Sequence, residues 1–244
     1  MFDLAGGFVL AALPALPLLY WLRRMKNSRS GESQPKSNGF VGKGLLLGFA
    51  AVAPAAVLEY FLAPLSEPWG SVGNRLVGAF CVAAFVEEGV KFAFLRIWLR
   101  SGTAGNAMDA IAHAISISLG FAVIENFVYT WDRPELLVIR SLTAVPLHVL
   151  ATGQLGFWLG IRTARKKAHD PFLLPRGGWL RGFTAAVMVH GVYDFLVLGE
   201  DFAAFFVLPL LIFSSLLLRS RLLLARRIDE ELENPVDSLY RERR

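Results

Sequence analysis

Ionisable side chains lie inside long apolar stretches of this sequence, and the first group is two glutamates and a lysine. The run A-F-V-E-E-G-V-K-F contains Glu87, Glu88 and Lys91. In a helix Lys91 lies four residues after Glu87 and three after Glu88, so the three side chains share roughly one face. The carboxylates repel each other, and only one would stay ionised in an apolar site unless Lys91 keeps both charged. A carboxylate placed here could take a proton from water, which is the chemistry of a hydrolase.

Polar residues of the same kind recur in the next three apolar stretches. Glu125 and Asn126 lie in G-F-A-V-I-E-N-F-V-Y, His148 lies in P-L-H-V-L-A-T-G, and V-H-G-V-Y-D-F contains His190 and Asp194. The last two are four residues apart, so we expect Asp194 to accept a hydrogen bond from one ring nitrogen of His190. The other nitrogen would then face substrate, water or a metal. A charge at the bilayer centre costs about 2.5–3.5 kcal/mol on insertion scales, so these residues predict a functional site.

The elements that must position these residues are predicted to be membrane-spanning helices. The 244 residues are 55% hydrophobic with a mean hydropathy of +0.48, above the roughly 45–50% of soluble domains. A spanning helix needs about 20 mostly apolar residues. Seven stretches meet or approach that length: 4–22, 41–62, 72–99, 107–131, 136–161, 180–198 and 202–224. We therefore predict an all-α, polytopic transmembrane bundle of about seven spans over 1–228, followed by a charged cytoplasmic tail at 229–244. Pro14 lies inside the first stretch and predicts a kink.

Basic residues concentrate in every second connection between the apolar stretches, which predicts the orientation of the chain. By the positive-inside rule the N-terminus lies outside and the C-terminus lies in the cytoplasm. Glu87 and His148 then fall near the midplane, and Glu125, His190 and Asp194 fall in the outer half. The net charge of +5 is accordingly a topology signal and not a sign of nucleic-acid binding.

Other polar residues have simpler interpretations. Asp109 and His113 lie near the predicted cytoplasmic start of the fourth stretch, where a cap or satisfied role is expected. Asn126 could bridge two helices, a common use of amides in membranes. The single Cys81 excludes an intrachain disulfide and a paired-cysteine metal site.

Four motifs in order resemble the PrsW family of bacterial intramembrane proteases, which is distantly related to the CAAX prenyl endopeptidases. They are E-E-x-x-K at 87–91, F-x-x-x-E-N at 121–126, the lone His148, and H-x-x-x-D at 190–194. The resemblance implies a multi-pass endopeptidase of the bacterial cytoplasmic membrane. It also implies a membrane-anchored protein substrate, such as an anti-sigma factor, that is cleaved on its extracytoplasmic side within the lipid bilayer.

The resemblance leaves two mechanisms open, because the PrsW family is often named as metalloproteases whereas the CAAX relatives look glutamate-dependent. Without a metal, Glu87 would be the general base, Glu88 would assist, and His148 or His190 would stabilise the oxyanion. With one, His148, His190 and a carboxylate, Glu88 or Glu125, would hold a divalent ion such as zinc. The sequence has no H-E-x-x-H, and we therefore favour the metal-free mechanism.

Two other classes of function place the same residue types inside a membrane. An ion- or proton-coupled transporter also uses carboxylates and histidines at mid-membrane depth. A non-catalytic scaffold would use Lys91 and the paired glutamates to lock helices together. The absence of an evident inverted repeat and the outward bias of the site favour the protease.

Overall fold

The computed structural model of this protein describes residues 4–27, 38–102, 104–168, 177–199 and 201–233. Over these ranges the structure contains helices and no strands, which confirms the all-α prediction. The helices are α1 Leu4–Ala12, α2 Ala15–Asn27, α3 Asn38–Leu62, α4 Gly70–Leu76, α5 Phe85–Arg100, α6 Ala107–Thr130, α7 Leu136–Ala168, α8 Gly178–Val197, α9 Asp201–Ala204 and α10 Val207–Glu233. Helix α10 extends to Glu233, so the predicted tail begins as helix, and residues 234–244 of that tail lie outside the described residues.

Four of the described helices are long and apolar enough to cross a membrane: Phe40–Ser66, Ala107–Thr130, Leu136–Ala164 and Val207–Glu233. The bent pair α1 and α2 would make a fifth span. The predicted stretches 72–99 and 180–198 are helical as well, in α4 to α5 and in α8, but they are not among the four. These helices carry charged residues of the site, which lower their apolar character. The count of about seven spans and the orientation of the termini stay predictions.

Helices α1 and α2 are separated by a break at Pro14, where the sequence predicts a kink. The two helices meet at an angle of 49°. Proline has no backbone N–H and its ring clashes with the carbonyl four residues earlier, so the helix is interrupted there. Pro54 and Pro146 lie inside α3 and α7 without ending those helices.

Helix α6 lies at the centre of the bundle and packs mainly against α7 and α3. Glycines allow this close packing. A Cβ atom added to Gly48 of α3 would lie only 2.9 Å from Cα of Gly120, and one added to Gly156 of α7 would lie 3.0 Å from Cα of Ile111. Small residues at such crossings are typical of membrane bundles, where close van der Waals contact drives helix association.

The start of α6 is capped from two directions. The cap residue is Asn106 and not the predicted Asp109: the Asn106 side chain accepts a hydrogen bond from the backbone N–H of Asp109 at 2.8 Å. The Asp109 carboxylate is instead satisfied by the backbone N–H of Gly105 at 3.0 Å. From α10, the buried carboxylate of Asp229 accepts hydrogen bonds from the backbone N–H groups of Ala107 and Met108, at 2.8 and 3.0 Å. Helix α10 thus supplies acceptors for backbone N–H groups that the first turn of α6 leaves without partners.

His113 is a satisfied core residue, as the sequence predicts. Its ring is fully buried and lies 3.9 Å from the ring centre of Trp98 and 4.2 Å from that of Phe40. Its Nδ1 atom is 2.5 Å from the carbonyl oxygen of Asp109. These contacts place His113 within the packed interior and assign it no part in the polar site.

A π-helical segment, Val77–Ala84, joins α4 to α5 directly before the two glutamates. The ring of Phe80 in this segment packs against Gly191 of α8, so closely that a Cβ atom on Gly191 would overlap it. Segments of π-helix are frequent at functional sites. Here the segment brings α5 and α8 together next to Glu87 and His190.

Candidate active site

Helix α5 presents Glu87, Glu88 and Lys91 on one buried face, as their spacing predicts. The Lys91 ammonium lies 3.0 Å from Oε2 of Glu87 and 3.0 Å from Oε1 of Glu88. Lys91 is fully buried. A buried ammonium requires acceptors for its hydrogens, and the two carboxylates supply them.

The third acceptor of the Lys91 ammonium is His148 of α7, whose Nδ1 atom lies 3.0 Å away. A lysine can only donate, so Nδ1 accepts and carries a lone pair. The other ring nitrogen, Nε2, contacts Oε2 of Glu125 on α6 and is the nitrogen that can donate a proton to it. The ammonium also lies 4.0 Å from the ring centre of Phe121, a cation–π contact that further stabilises the buried charge.

Glu88 is held in place on both of its oxygens. Oε1 is shared by Lys91 and by Nδ1 of His190 at 3.0 Å, and Oε2 accepts a hydrogen bond from the Thr152 hydroxyl at 2.9 Å. Its side chain is fully buried. Thr152 did not emerge from the sequence analysis, although it follows His148 by four residues and therefore shares its helix face.

The structure corrects the expected partner of His190. Glu88, and not Asp194, takes the hydrogen bond from Nδ1, because α5 packs against α8 at this level. The other nitrogen, Nε2, lies 3.4 Å from Oδ2 of Asp194 and 3.8 Å from Oε2 of Glu87. Among the residues that the structure describes, Oδ2 of Asp194 has no hydrogen-bond partner. The outer nitrogen of His190 therefore faces a space bordered by two carboxylates.

A second arm of the site joins α6 to the start of α7 through Arg140. Its Nη2 atom donates to Oε1 of Glu125 at 2.7 Å, and its Nε atom donates to Oδ1 of Asn126 at 3.3 Å. Asn126 thus bridges two helices, as expected. Arg140 was not predicted as a site residue, although an arginine inside the apolar stretch 136–161 is the same kind of signal as the other charged residues.

Exposure rises from one side of the site to the other. The side chains of Glu88 and Lys91 are 0% exposed, that of Glu87 is 9% exposed, and that of Asp194 is 20% exposed. Glu87 therefore lies at the boundary between the fully buried part of the site and the more exposed part around Asp194.

One set of donor atoms in the described part of the chain could hold a metal ion. Glu87, His148 and His190 each offer one ligand atom, and these atoms all lie within 4.8 Å of one another. These atoms come from α5, α7 and α8, so a sequence motif within one helix could not have predicted this set of ligands. The structure thus brings together all eight residues that the sequence analysis selected, in contacts that link four helices.

Comparison with known proteins gives a consistent result. The family model described as "PrsW family intramembrane metalloprotease" matches residues 36–218. The chain is 31% identical over 177 residues to Protease PrsW of Geobacillus kaustophilus, covering 70% of this chain and 71% of that protein. It is 29% identical over 174 residues to Protease PrsW of Bacillus subtilis, covering 70% and 75%. Protease PrsW of Clostridioides difficile is 25% identical over 199 residues, covering 79% of each chain. No solved structure matches this chain.

Proposed function

This chain belongs to the PrsW family of intramembrane proteases, and from that premise we propose that Glu87 activates the water that cleaves its protein substrate. The substrate is a membrane-anchored regulator of the anti-sigma-factor kind, cleaved near its extracytoplasmic side in a bacterial cytoplasmic membrane. Membership in a protease family favours hydrolysis over the transporter and scaffold alternatives.

The contrast between the two neighbouring glutamates carries the assignment. Glu88 accepts from Lys91, His190 and Thr152 and is fully buried, so it has no room for water. Glu87 accepts from Lys91 but borders the partly exposed side of the site. A general base must reach the water whose proton it takes. Glu87 meets this requirement, and Glu88 serves as the anion that orients His190.

The catalytic sequence follows from these positions. Glu87 takes a proton from water while the water oxygen bonds to the scissile carbonyl carbon. In its protonated form, His190 donates from Nε2 to the developing oxyanion, because Glu88 holds the opposite edge of the ring. The carbon–nitrogen bond then breaks, and the proton held by Glu87 passes to the leaving amine. Lys91 donates a hydrogen bond to Glu87 at 3.0 Å and so gives this buried carboxylate a counter-ion.

The chemistry of the site also fits a divalent ion such as zinc. The ligand atoms on the Asp194 side of the site are Nε2 of His190, Oε2 of Glu87, which also accepts from Lys91, and the buried Oδ2 of Asp194, which has no hydrogen-bond partner among the described residues. Glu88 would support the ion indirectly, since a carboxylate on the far nitrogen of a metal-bound histidine fixes its tautomer. When bound, the ion would polarise the scissile carbonyl and acidify a bound water.

The charge of the site is compatible with such an ion. The site contains four carboxylates and two permanent cations, so with neutral histidines its net charge is −2. The carboxylates are Glu87, Glu88, Glu125 and Asp194, and the cations are Lys91 and Arg140. Nδ1 of His148 accepts from Lys91 and would have to lose that bond before it could bind the ion. Glu88 and Glu125, the other ligands considered from the sequence, are already engaged by neighbouring donors.

The test is the isosteric substitution Glu87→Gln. Fragments of membrane proteins from cells with wild-type or Glu87→Gln enzyme are compared by mass spectrometry, and a single-span substrate found this way is then co-expressed with each. We expect Glu87→Gln to lower the cleavage rate by about 10²–10⁴-fold, the usual contribution of a general base. The variant should insert into membranes at wild-type abundance. Glu135→Gln, in an exposed connection, is the matched control and should cleave normally. Cleavage by Glu87→Gln at the wild-type rate would refute the assignment.

A further inference from the structure

We propose that Arg140 is a positioning residue for catalysis: it orients the carboxylate of Glu125, which in turn fixes the proton on His148. The role in catalysis rests on the proposed function, whereas the effect on His148 can be measured without any substrate. The contacts run from Arg140 to Glu125, from Glu125 to His148 and from His148 to Lys91.

The first step is the set of contacts that Arg140 makes with α6. Its guanidinium donates through Nη2 to Glu125 and through Nε to Asn126, two consecutive residues of α6. The same group lies 4.2 Å from the ring centre of Tyr129, one turn further along α6. A planar guanidinium can donate along two directions and stack on a ring at once, which a lysine ammonium cannot reproduce. The position of Arg140 is therefore defined by three side chains of one helix.

The second step is the effect of Arg140 on His148, which it exerts through Glu125. Arg140 and His148 are eight residues apart on α7, so they lie on one face about two turns apart. The Glu125 carboxylate bridges the two side chains: its Oε1 atom lies 2.7 Å from Nη2 of Arg140, and its Oε2 atom contacts Nε2 of His148. A carboxylate held at one oxygen can place its other oxygen in fewer positions. Arg140 thereby holds the acceptor that keeps the His148 proton on Nε2.

The third step reaches Glu87 and Glu88 through Lys91. With its proton on Nε2, His148 presents a lone pair at Nδ1 to the Lys91 ammonium, which also holds Glu87 and Glu88. If the His148 proton moved to Nδ1, two hydrogen-bond donors would face each other at 3.0 Å. Lys91 would then have to move away from His148, and its bonds to the glutamates would change. Arg140 thus acts on Glu87 through three intermediate residues, Glu125, His148 and Lys91, and does not contact Glu87 itself.

The direct test reads the tautomer of His148 by nitrogen NMR. The chain has only four histidines, so protein labelled with ¹⁵N-histidine in nanodiscs gives few signals, which single histidine substitutions assign. In the wild type we expect protonated Nε2 and unprotonated Nδ1 on His148. In Arg140→Met both nitrogens should show signals of exchanging tautomers. Arg140→Lys, which keeps the charge but not the fork, should also lose the single tautomer.

The matched control is Arg181→Met, because Arg181 also lies over an aromatic ring of α7, 5.5 Å from the centre of Trp158, but outside the site. It should leave the His148 signals unchanged. An unchanged single tautomer in Arg140→Met would overturn the proposal, and so would an equal change in Arg181→Met.

The activity test separates positioning from a merely structural role. Arg140→Met should lower kcat by about 10–100-fold, the size of effect known for the hydrogen-bond partners of metal-binding histidines, with KM little changed. If Arg140 acts through Glu125, the double variant Arg140→Met/Glu125→Gln should be no slower than Glu125→Gln alone. Losses that multiply in the double variant would overturn the proposal. If Glu87→Gln stayed active, the proposed function would fail while the NMR result would still decide the role of Arg140.

Discussion

Replacement of Lys91 by methionine tests whether the site depends on its internal cation. The change keeps a long unbranched side chain but removes an ammonium that holds Glu87, Glu88 and His148 at 3.0 Å each. Removing one partner of a buried ion pair costs about 3–5 kcal/mol, because the other charge stays buried without compensation. Here two carboxylates lose their shared partner, so we expect the upper part of that range. The folding equilibrium should fall by about 10³–10⁴-fold, at 1.4 kcal/mol for each factor of ten.

The free energy of unfolding can be measured by titrating SDS into mixed micelles and following the helical circular dichroism signal. Lys43→Met is the matched control, since Lys43 is an exposed lysine of α3, and such changes usually stay within about 0.5 kcal/mol. The double variant Lys91→Met/Glu88→Gln removes one of the two uncompensated charges. It should therefore be more stable than Lys91→Met alone.

Two results would contradict this reasoning. If Lys91→Met unfolded at the same SDS fraction as the Lys43→Met control, the ammonium would contribute nothing to the fold. If the double variant were as unstable as the sum of both single changes, the instability would not come from the unpaired carboxylate.

Three further predictions concern packing, capping and metal binding. Gly191→Ala should destabilise the protein by about 1–3 kcal/mol and lower activity, because the added Cβ would lie 2.7 and 2.8 Å from ring atoms of Phe80; wild-type stability in the SDS titration would show that α8 can move away freely. Asp229→Ala should lower the free energy of unfolding by about 0.5–2 kcal/mol, since the start of α6 loses the hydrogen bonds that Asp229 accepts. An unchanged unfolding curve would show that this cap does not stabilise the protein. Zinc is added to purified protein, and the zinc left after desalting is measured by elemental analysis. The wild type should retain zinc and His190→Gln should lose it, whereas the control His113→Gln, which changes a buried histidine outside the site, should retain it. Equal zinc in both variants would exclude His190 as a ligand.

The sequence predicts the membership of the site well because helical spacing determines which residues share a face. Glu87, Glu88 and Lys91 meet on α5 as their i, i+3 and i+4 separations require. Their gathering with His148 and His190 was expected from matching depth, and the structure brings them into contact. The all-α class follows from the same apolar stretches.

The partners across helices were harder to predict. Spacing within α8 suggests Asp194 as the acceptor for His190, but which residue lies opposite a ring nitrogen depends on how α5 and α8 pack. That packing is set by contacts such as Phe80 against Gly191, which no periodicity encodes. The absence of H-E-x-x-H likewise excludes only a metal site whose histidine ligands lie on one helix, whereas the ligand atoms here come from three helices.

The depth of Glu87 has a consequence for the shape of any substrate. Only 9% of this side chain is exposed, and it lies beside fully buried neighbours. In an intact substrate helix each carbonyl is hydrogen-bonded within the helix and enclosed in a cylinder about 10–12 Å wide. Such a cylinder cannot bring a carbonyl carbon against a recessed carboxylate. The proposed cleavage therefore requires a locally unwound, extended stretch of substrate, and sequences that unwind easily, with glycine or proline near the scissile bond, should be cut in preference to stable helices.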